Sequence, residues 1–157
     1  MDGVLVVMQW LHILGGITWF GGYIFLDLIV WPALLRLPAG AARQAHEQIF
    51  TRAAAIMTVV APFVVVVGIL RGTWLGPIKN WRMLIGTPYG VTWLVGLVVA
   101  CALMVWGATW HSRILGPVWE GDAVRGAAVR RIHVGTAVEM SSFGLILTCM
   151  VLMGVGL

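Results

Sequence analysis

The chain has 157 residues, of which 61% are hydrophobic and 10% charged, with a formal net charge of +4. Soluble domains carry a charged share of about 25% and could not hide this much apolar surface, so an ordinary water-soluble fold is excluded and lipid is the expected solvent. The two cysteines, Cys101 and Cys149, both fall inside apolar runs, which excludes a disulfide-stapled secreted framework.

A helix crosses the hydrocarbon core with about 20 apolar residues. The first stretch that qualifies covers about residues 3–35 and is broken only by Asp27. No charged leader with a small-residue cleavage site opens the chain, so Val4 to Val30 reads as a span and not as a signal peptide. The second span covers 52–71, preceded by residues 39–51, which keep apolar residues at helical spacing and extend the helix toward the cytoplasm. Residues 73–90 hold Pro77, Gly86, Pro88 and Gly90 among Trp81, Met83, Leu84 and Ile85, an amphipathic surface element ending in a turn. The third span covers 89–111, and the fourth covers 133–157 with Glu139 inside it. The expected fold is all-α: an integral membrane four-helix bundle, one transmembrane domain over residues 1–157. Strands are expected nowhere, because lipid cannot satisfy an open sheet edge.

Seven arginines (Arg36, Arg43, Arg52, Arg113, Arg125, Arg130 and Arg131) lie in the first and third connections, against three basic residues (Arg71, Lys79 and Arg82) in the second. The positive-inside rule then places both termini outside. Trp31, Trp74, Trp81, Trp93 and Trp110 fall near span ends, where interfacial anchors belong.

Ionisable groups within a membrane are costly, so each is a functional candidate. At about 1.5 Å per residue, His12 falls in the outer half of its span, level with Cys101, Met104, Cys149 and Met150. His46, His111 and His133 form an inner layer, and Asp27 and Glu139 also belong to the cytoplasmic half. Imidazole is a common ligand for iron and copper. A haem also needs room for a flat macrocycle, which Gly15, Gly16, Gly22, Gly107 and Gly135 beside the histidines would provide; the same glycines equally allow close helix packing. The haem or metal ligands read from this pattern are His12, His46, His111 and His133. Met104, Met150, Cys101 and Cys149 are the soft side chains suited to copper, though Met and Cys are also ordinary packing residues. Asp27 reads either as an ion-pair partner of Arg36 or Arg113, or with Glu139 as a second shell or proton path. Phosphate loops, HExxH, CxxC and nucleophile elbows are missing from the sequence, and the arginines are too dispersed for nucleic-acid binding.

Two stretches carry a family resemblance. The run from Gln9 to Leu26, QWLHILGGITWFGGYIFL, resembles the first helix of the CopD/HemJ-type membrane proteins, and Thr87-Pro-Tyr-Gly is similar to the Thr-x-Tyr-Gly before a helix in CopD-like copper-resistance proteins. The resemblance implies a helical membrane fold with a functional histidine at His12. It links the chain to copper uptake or tolerance on one side, and to haem and protoporphyrinogen oxidation on the other. The third span has no lysine where those groups tend to carry one, and Gly96 stands near that place. The resulting expectation is a haem b redox or electron-transfer protein, an oxidoreductase if it is an enzyme, with CopD-like copper handling as the alternative and a structural accessory subunit as a third class. It would sit in a bacterial-type inner membrane, with a quinone or periplasmic redox partner and a second copy of the chain as partners beyond the bilayer.

Overall fold

The computed structural model describes residues 2–110, 118–120, 123, 124 and 126–156. The chain runs α1 (Asp2–Phe25), a π-helical turn (Leu26–Val30), α2 (Trp31–Leu34), α3 (Ala39–Gly72), α4 (Trp81–Gly86), α5 (Pro88–Thr109), β1 (Trp119–Glu120), β2 (Ala123–Val124) and α6 (Gly126–Gly154). Four helical stretches, Gly3–Leu34, Gly40–Gly72, Pro88–Thr109 and Gly126–Gly154, are long and apolar enough to cross a membrane. The protein is a multi-pass, all-α membrane bundle.

Proline shapes the first rod. Pro32 has no N–H to offer the Leu28 carbonyl and its ring crowds that oxygen. The helix widens just before it, and the Trp31 N–H reaches back five residues to the Leu26 carbonyl. Asp27 sits in this widened turn, buried together with Leu26 and Val30. Such π turns inside α-helices occur often at functional sites.

The second span begins far before its apolar stretch, at Ala39, as the helical spacing of 39–51 implies. Lys79 Nζ donates to the carbonyls of Thr73 (2.9 Å) and Trp74 (2.7 Å), closing the segment after α3. The Asn80 side chain accepts from the Met83 N–H at 2.9 Å and starts α4. Thr87 then serves two helices. Its hydroxyl donates to the Met83 carbonyl at 2.6 Å, ending α4, and accepts from the Gly90 N–H at 3.0 Å, capping α5. Pro88 takes the first turn, where no N–H is needed. Gly90 lies against the backbone of Met83 and Leu84, where a side chain would not fit. The Thr87-Pro-Tyr-Gly stretch is thus a capping and packing device at the α4–α5 corner.

The expectation of no strands is corrected locally. Trp119 and Glu120 pair antiparallel with Val124 and Ala123 in the third connection. A hairpin outside the hydrocarbon can leave its edges to water, so the argument from lipid does not apply there. α6 begins at Gly126, seven residues before His133.

α1 packs along α3, α5 along α6, and α3 reaches α5. Phe143 of α6 ties in the first rod by an edge contact with Trp19 (5.4 Å between centroids), a stack with Phe20 (4.8 Å) and a tilted contact with Tyr23 (5.5 Å). One buried cluster gathers around these rings with Ala61, Val64, Leu103 and Ile146, and a second joins Leu26, Val30, Trp31, Leu34, Trp110, Val118, Ala128 and Ile132. Val59, Val98, Val105 and Val151 turn outward, as lipid-facing residues do. The tryptophans divide. Trp74 and Trp81 are exposed near span ends as anchors should be, but Trp31 and Trp110 are core residues, only 2% and 8% exposed. Their large rings fill the end of the bundle where small side chains would leave a void.

Candidate functional site

Among the described residues, two polar centres lie within the apolar helices, one at His12 and one at Asp27 and Glu139.

His12 Nδ1 lies 3.2 Å from the Val64 carbonyl of α3. A carbonyl oxygen only accepts, so Nδ1 carries the proton and donates. In the neutral ring this leaves the lone pair on Nε2. The imidazole lies over Gly68, one turn farther along α3, where an added Cβ would stand 2.9 Å from His12 Cε1. Glycine at this position gives the ring its seat, and the Val64 carbonyl gives it its orientation.

The other histidines differ. His46 is half-buried among Trp31, Phe50 and Trp119, with ring centroids 5.0, 4.7 and 5.9 Å away. The Trp119 indole N–H approaches His46 Nδ1 at 3.4 Å. An indole only donates, so here Nδ1 holds the lone pair and that lone pair faces a donor. His133 is exposed on α6, so among the described residues only His46 of the inner layer turns inward. His111 lies outside the described residues, as does Arg113.

The soft side chains are scattered over the α5–α6 side. Cys149 is buried with its Cβ against Gly96 (3.4 Å from an added Cβ), Cys101 and Met104 are half-buried, and Met150 is exposed. Among the described residues no three His, Cys, Asp or Glu side chains gather as a metal cluster.

The glycines expected to clear space are largely filled. Val64 occupies the place beside Gly15 (2.6 Å from an added Cβ), and Met57 lies against Gly22, Tyr23 against Gly107 and Trp110 against Gly135. These positions bring helices together, the packing use of small residues. Gly16 alone of the group has nothing within 4 Å of an added Cβ. The fit to a haem is therefore divided. His12 presents the tautomer an axial ligand needs, whereas the helix seams at Gly15, Gly22, Gly107 and Gly135 hold no slot for a macrocycle.

The second centre is acidic. Asp27 and Glu139 are 9% and 2% exposed and line one small cavity together. Arg36, one partner expected for Asp27, is exposed at the surface. Tyr23, Trp106, Trp31, Trp110 and Thr136 surround the pair. The Asp27–Glu139 juxtaposition escapes a sequence reading because it joins two helices. Its neighbours carry a weak signal: Tyr23 precedes Asp27 by four residues and Thr136 precedes Glu139 by three, each one helical turn away on the same face.

No protein-family model, curated protein or solved structure matches the chain.

Proposed function

We propose that the protein is a membrane redox component that holds haem b through His12 Nε2. The observation that carries this reading is the His12 Nδ1–Val64 carbonyl hydrogen bond. A carbonyl acceptor on Nδ1 fixes the tautomer, orients the ring and raises the basicity of Nε2, the arrangement found for metal-bound histidines. A bound haem would supply one-electron chemistry. The chain's own part is to hold one imidazole rigidly over Gly68, at an α1–α3 contact only partly covered by protein. That partial cover leaves room for a second copy of the chain or a redox protein to complete the site. The CopD/HemJ-like run around His12 agrees with this assignment, and a quinone is a suitable small-molecule partner in the bilayer.

The absorption spectrum and metal content of the purified protein test the reading. A Soret band with reducible α/β bands, lost in His12→Ala, is the expected result. Stoichiometric copper without a Soret band would replace haem by copper. A colourless, metal-free protein would make the chain a structural subunit and overturn the assignment.

In this reading both termini face outward from a bacterial-type cytoplasmic membrane. Support comes from the seven-to-three excess of basic residues in the first and third connections. A C-terminal reporter active only outside is expected. Cytoplasmic activity of the same fusion would reverse the topology.

A further inference from the structure

The α1–α3 seam holds two further polar atoms, one turn beyond His12. Gln9 Oε1 and Arg71 Nε are each buried with no hydrogen-bond partner among the described residues. Leaving a buried donor or acceptor unmade is costly, so each calls for a partner. The helix register puts them at one level. Met57 lies against Gly22, Val64 against Gly15, and His12 over Gly68, so α1 and α3 run antiparallel. Three residues back from His12 on α1 is Gln9, and three residues on from Gly68 on α3 is Arg71. Arg71 also follows Val64 by seven residues, two helical turns, and so stands on the stripe of α3 that meets α1.

The two atoms are complementary. A guanidinium only donates, and an amide oxygen accepts. Both side chains are long, and a small rotation closes a bond from Arg71 Nε to Gln9 Oε1. That bond fixes the plane of the guanidinium and leaves its two Nη groups for another acceptor.

Charge and depth say what that acceptor is. Arg71 has no ion-pair partner among the described residues. No Asp or Glu occurs in the sequence between Glu47 and Glu120, and α1 carries only Asp2, seven positions before Gln9. The chain therefore offers this cation little of opposite charge. Arg71 is the last residue but one of the apolar stretch Gly40–Gly72, which places it at headgroup level. Trp74 and Trp81 are exposed just beyond it, and Val6, Val7 and Trp10 of α1 turn outward beside the seam. The medium at this point is lipid, and its anionic group is a phosphate. Arginine suits phosphate through its planar fork of donors, and basic pockets between membrane helices take anionic headgroups.

We propose that Gln9 and Arg71 form a headgroup site for an anionic phospholipid, with the Gln9 amide oxygen holding the guanidinium and the guanidinium's free edge taking the lipid phosphate. The site needs no metal at His12. A zwitterionic choline lipid fits less well, because its own ammonium already offsets the phosphate charge that Arg71 would meet.

Native mass spectrometry of the full chain, titrated with phosphatidylglycerol or phosphatidylcholine of the same acyl chains, tests the site. The wild type should bind its first phosphatidylglycerol about tenfold more tightly than phosphatidylcholine, as one charge-assisted hydrogen bond would give. Arg71→Gln should bind the two lipids alike. Arg71→Lys keeps the charge without the Nε–H, and Gln9→Leu removes its acceptor, so each should retain part of the preference. Arg82→Gln, an exposed position on the neighbouring α4, should behave as wild type. Equal binding of the two lipids by the wild type would overturn the proposal even where a variant fails to fold. So would a loss in Arg82→Gln as large as in Arg71→Gln, which would make the attraction a diffuse surface effect. Inorganic phosphate alone should leave the thermal midpoint in detergent unchanged; a rise equal to that given by phosphatidylglycerol would overturn the lipid assignment in favour of a free-phosphate site.

Discussion

His12 and His46 are the same residue in opposite settings. At His12 the Nδ1 nitrogen meets a backbone carbonyl, and at His46 it meets an indole N–H. The first partner pushes the lone pair out to Nε2, and the second engages the lone pair on Nδ1. The surroundings differ in the same sense. His12 lies on a glycine at a partly covered helix seam, whereas His46 is enclosed by three aromatic side chains. Residue type alone makes both histidines candidate ligands. The hydrogen-bond partner of one nitrogen separates a ring whose lone pair lies on Nε2, as the proposed ligation requires, from a ring whose Nδ1 lone pair is engaged by an indole.

The largest expected effect breaks or establishes this difference directly. His12→Ala removes the ligand itself and should weaken haem binding by more than about 100-fold, beyond the loss typical of removing an outer-shell partner. His46→Ala should leave haem content near wild type. His12→Gly with added imidazole should regain the spectrum, because a free ring can enter the space left over Gly68. Equal haem in His12→Ala and wild type, measured per mole of folded protein, would remove His12 from the site.

A smaller effect sharpens what the seat of His12 contributes. In Gly68→Ala the new methyl would stand 2.9 Å from His12 Cε1, so the ring or the helix must shift. Overpacking of this kind costs about 1–3 kcal/mol. The midpoint of thermal unfolding in detergent should fall, and haem should be held more weakly than in wild type but better than in His12→Ala. Gly16→Ala, with open space around it, is the matched control and should change neither. An unaltered Gly68→Ala variant would show that the Val64 carbonyl alone positions the ring.

The fold was legible in the sequence to the extent that it depends on hydropathy. Four apolar stretches, the early start of α3 and the break near Pro88 all follow from the order of residues along one helix. What was not legible depends on contacts between helices. Gly15, Gly22, Gly107 and Gly135 read equally as room for a cofactor or as close-packing positions, and only the contacts of Val64, Met57, Tyr23 and Trp110 with them decide for packing. Trp31 and Trp110 read as interfacial anchors from their positions near span ends, and they turn inward because the bundle end needs volume. Asp27 and Glu139 were each recognisable as buried polar groups. Their shared cavity was not, because the sequence does not say which faces of the first and fourth spans meet.

The smallest effect tests the structural side of the comparison. Trp119 contributes a ring 5.9 Å from His46 and an indole N–H 3.4 Å from its Nδ1. Trp119→Phe keeps a ring in contact and removes the donor. The net worth of one such hydrogen bond is about 1 kcal/mol, and this one is long, so the loss should not exceed that figure. The aromatic contact is largely preserved. A slight fall in the thermal midpoint is expected, with the haem spectrum and metal content unchanged, because the bond fastens the hairpin of β1 and β2 to α3 and does not tune a ligand. If Trp119→Phe instead depleted haem as deeply as His12→Ala, the Trp119 N–H would be acting through His46 on the cofactor. The two histidines would then share one site, and the distinction drawn from their Nδ1 partners would fail.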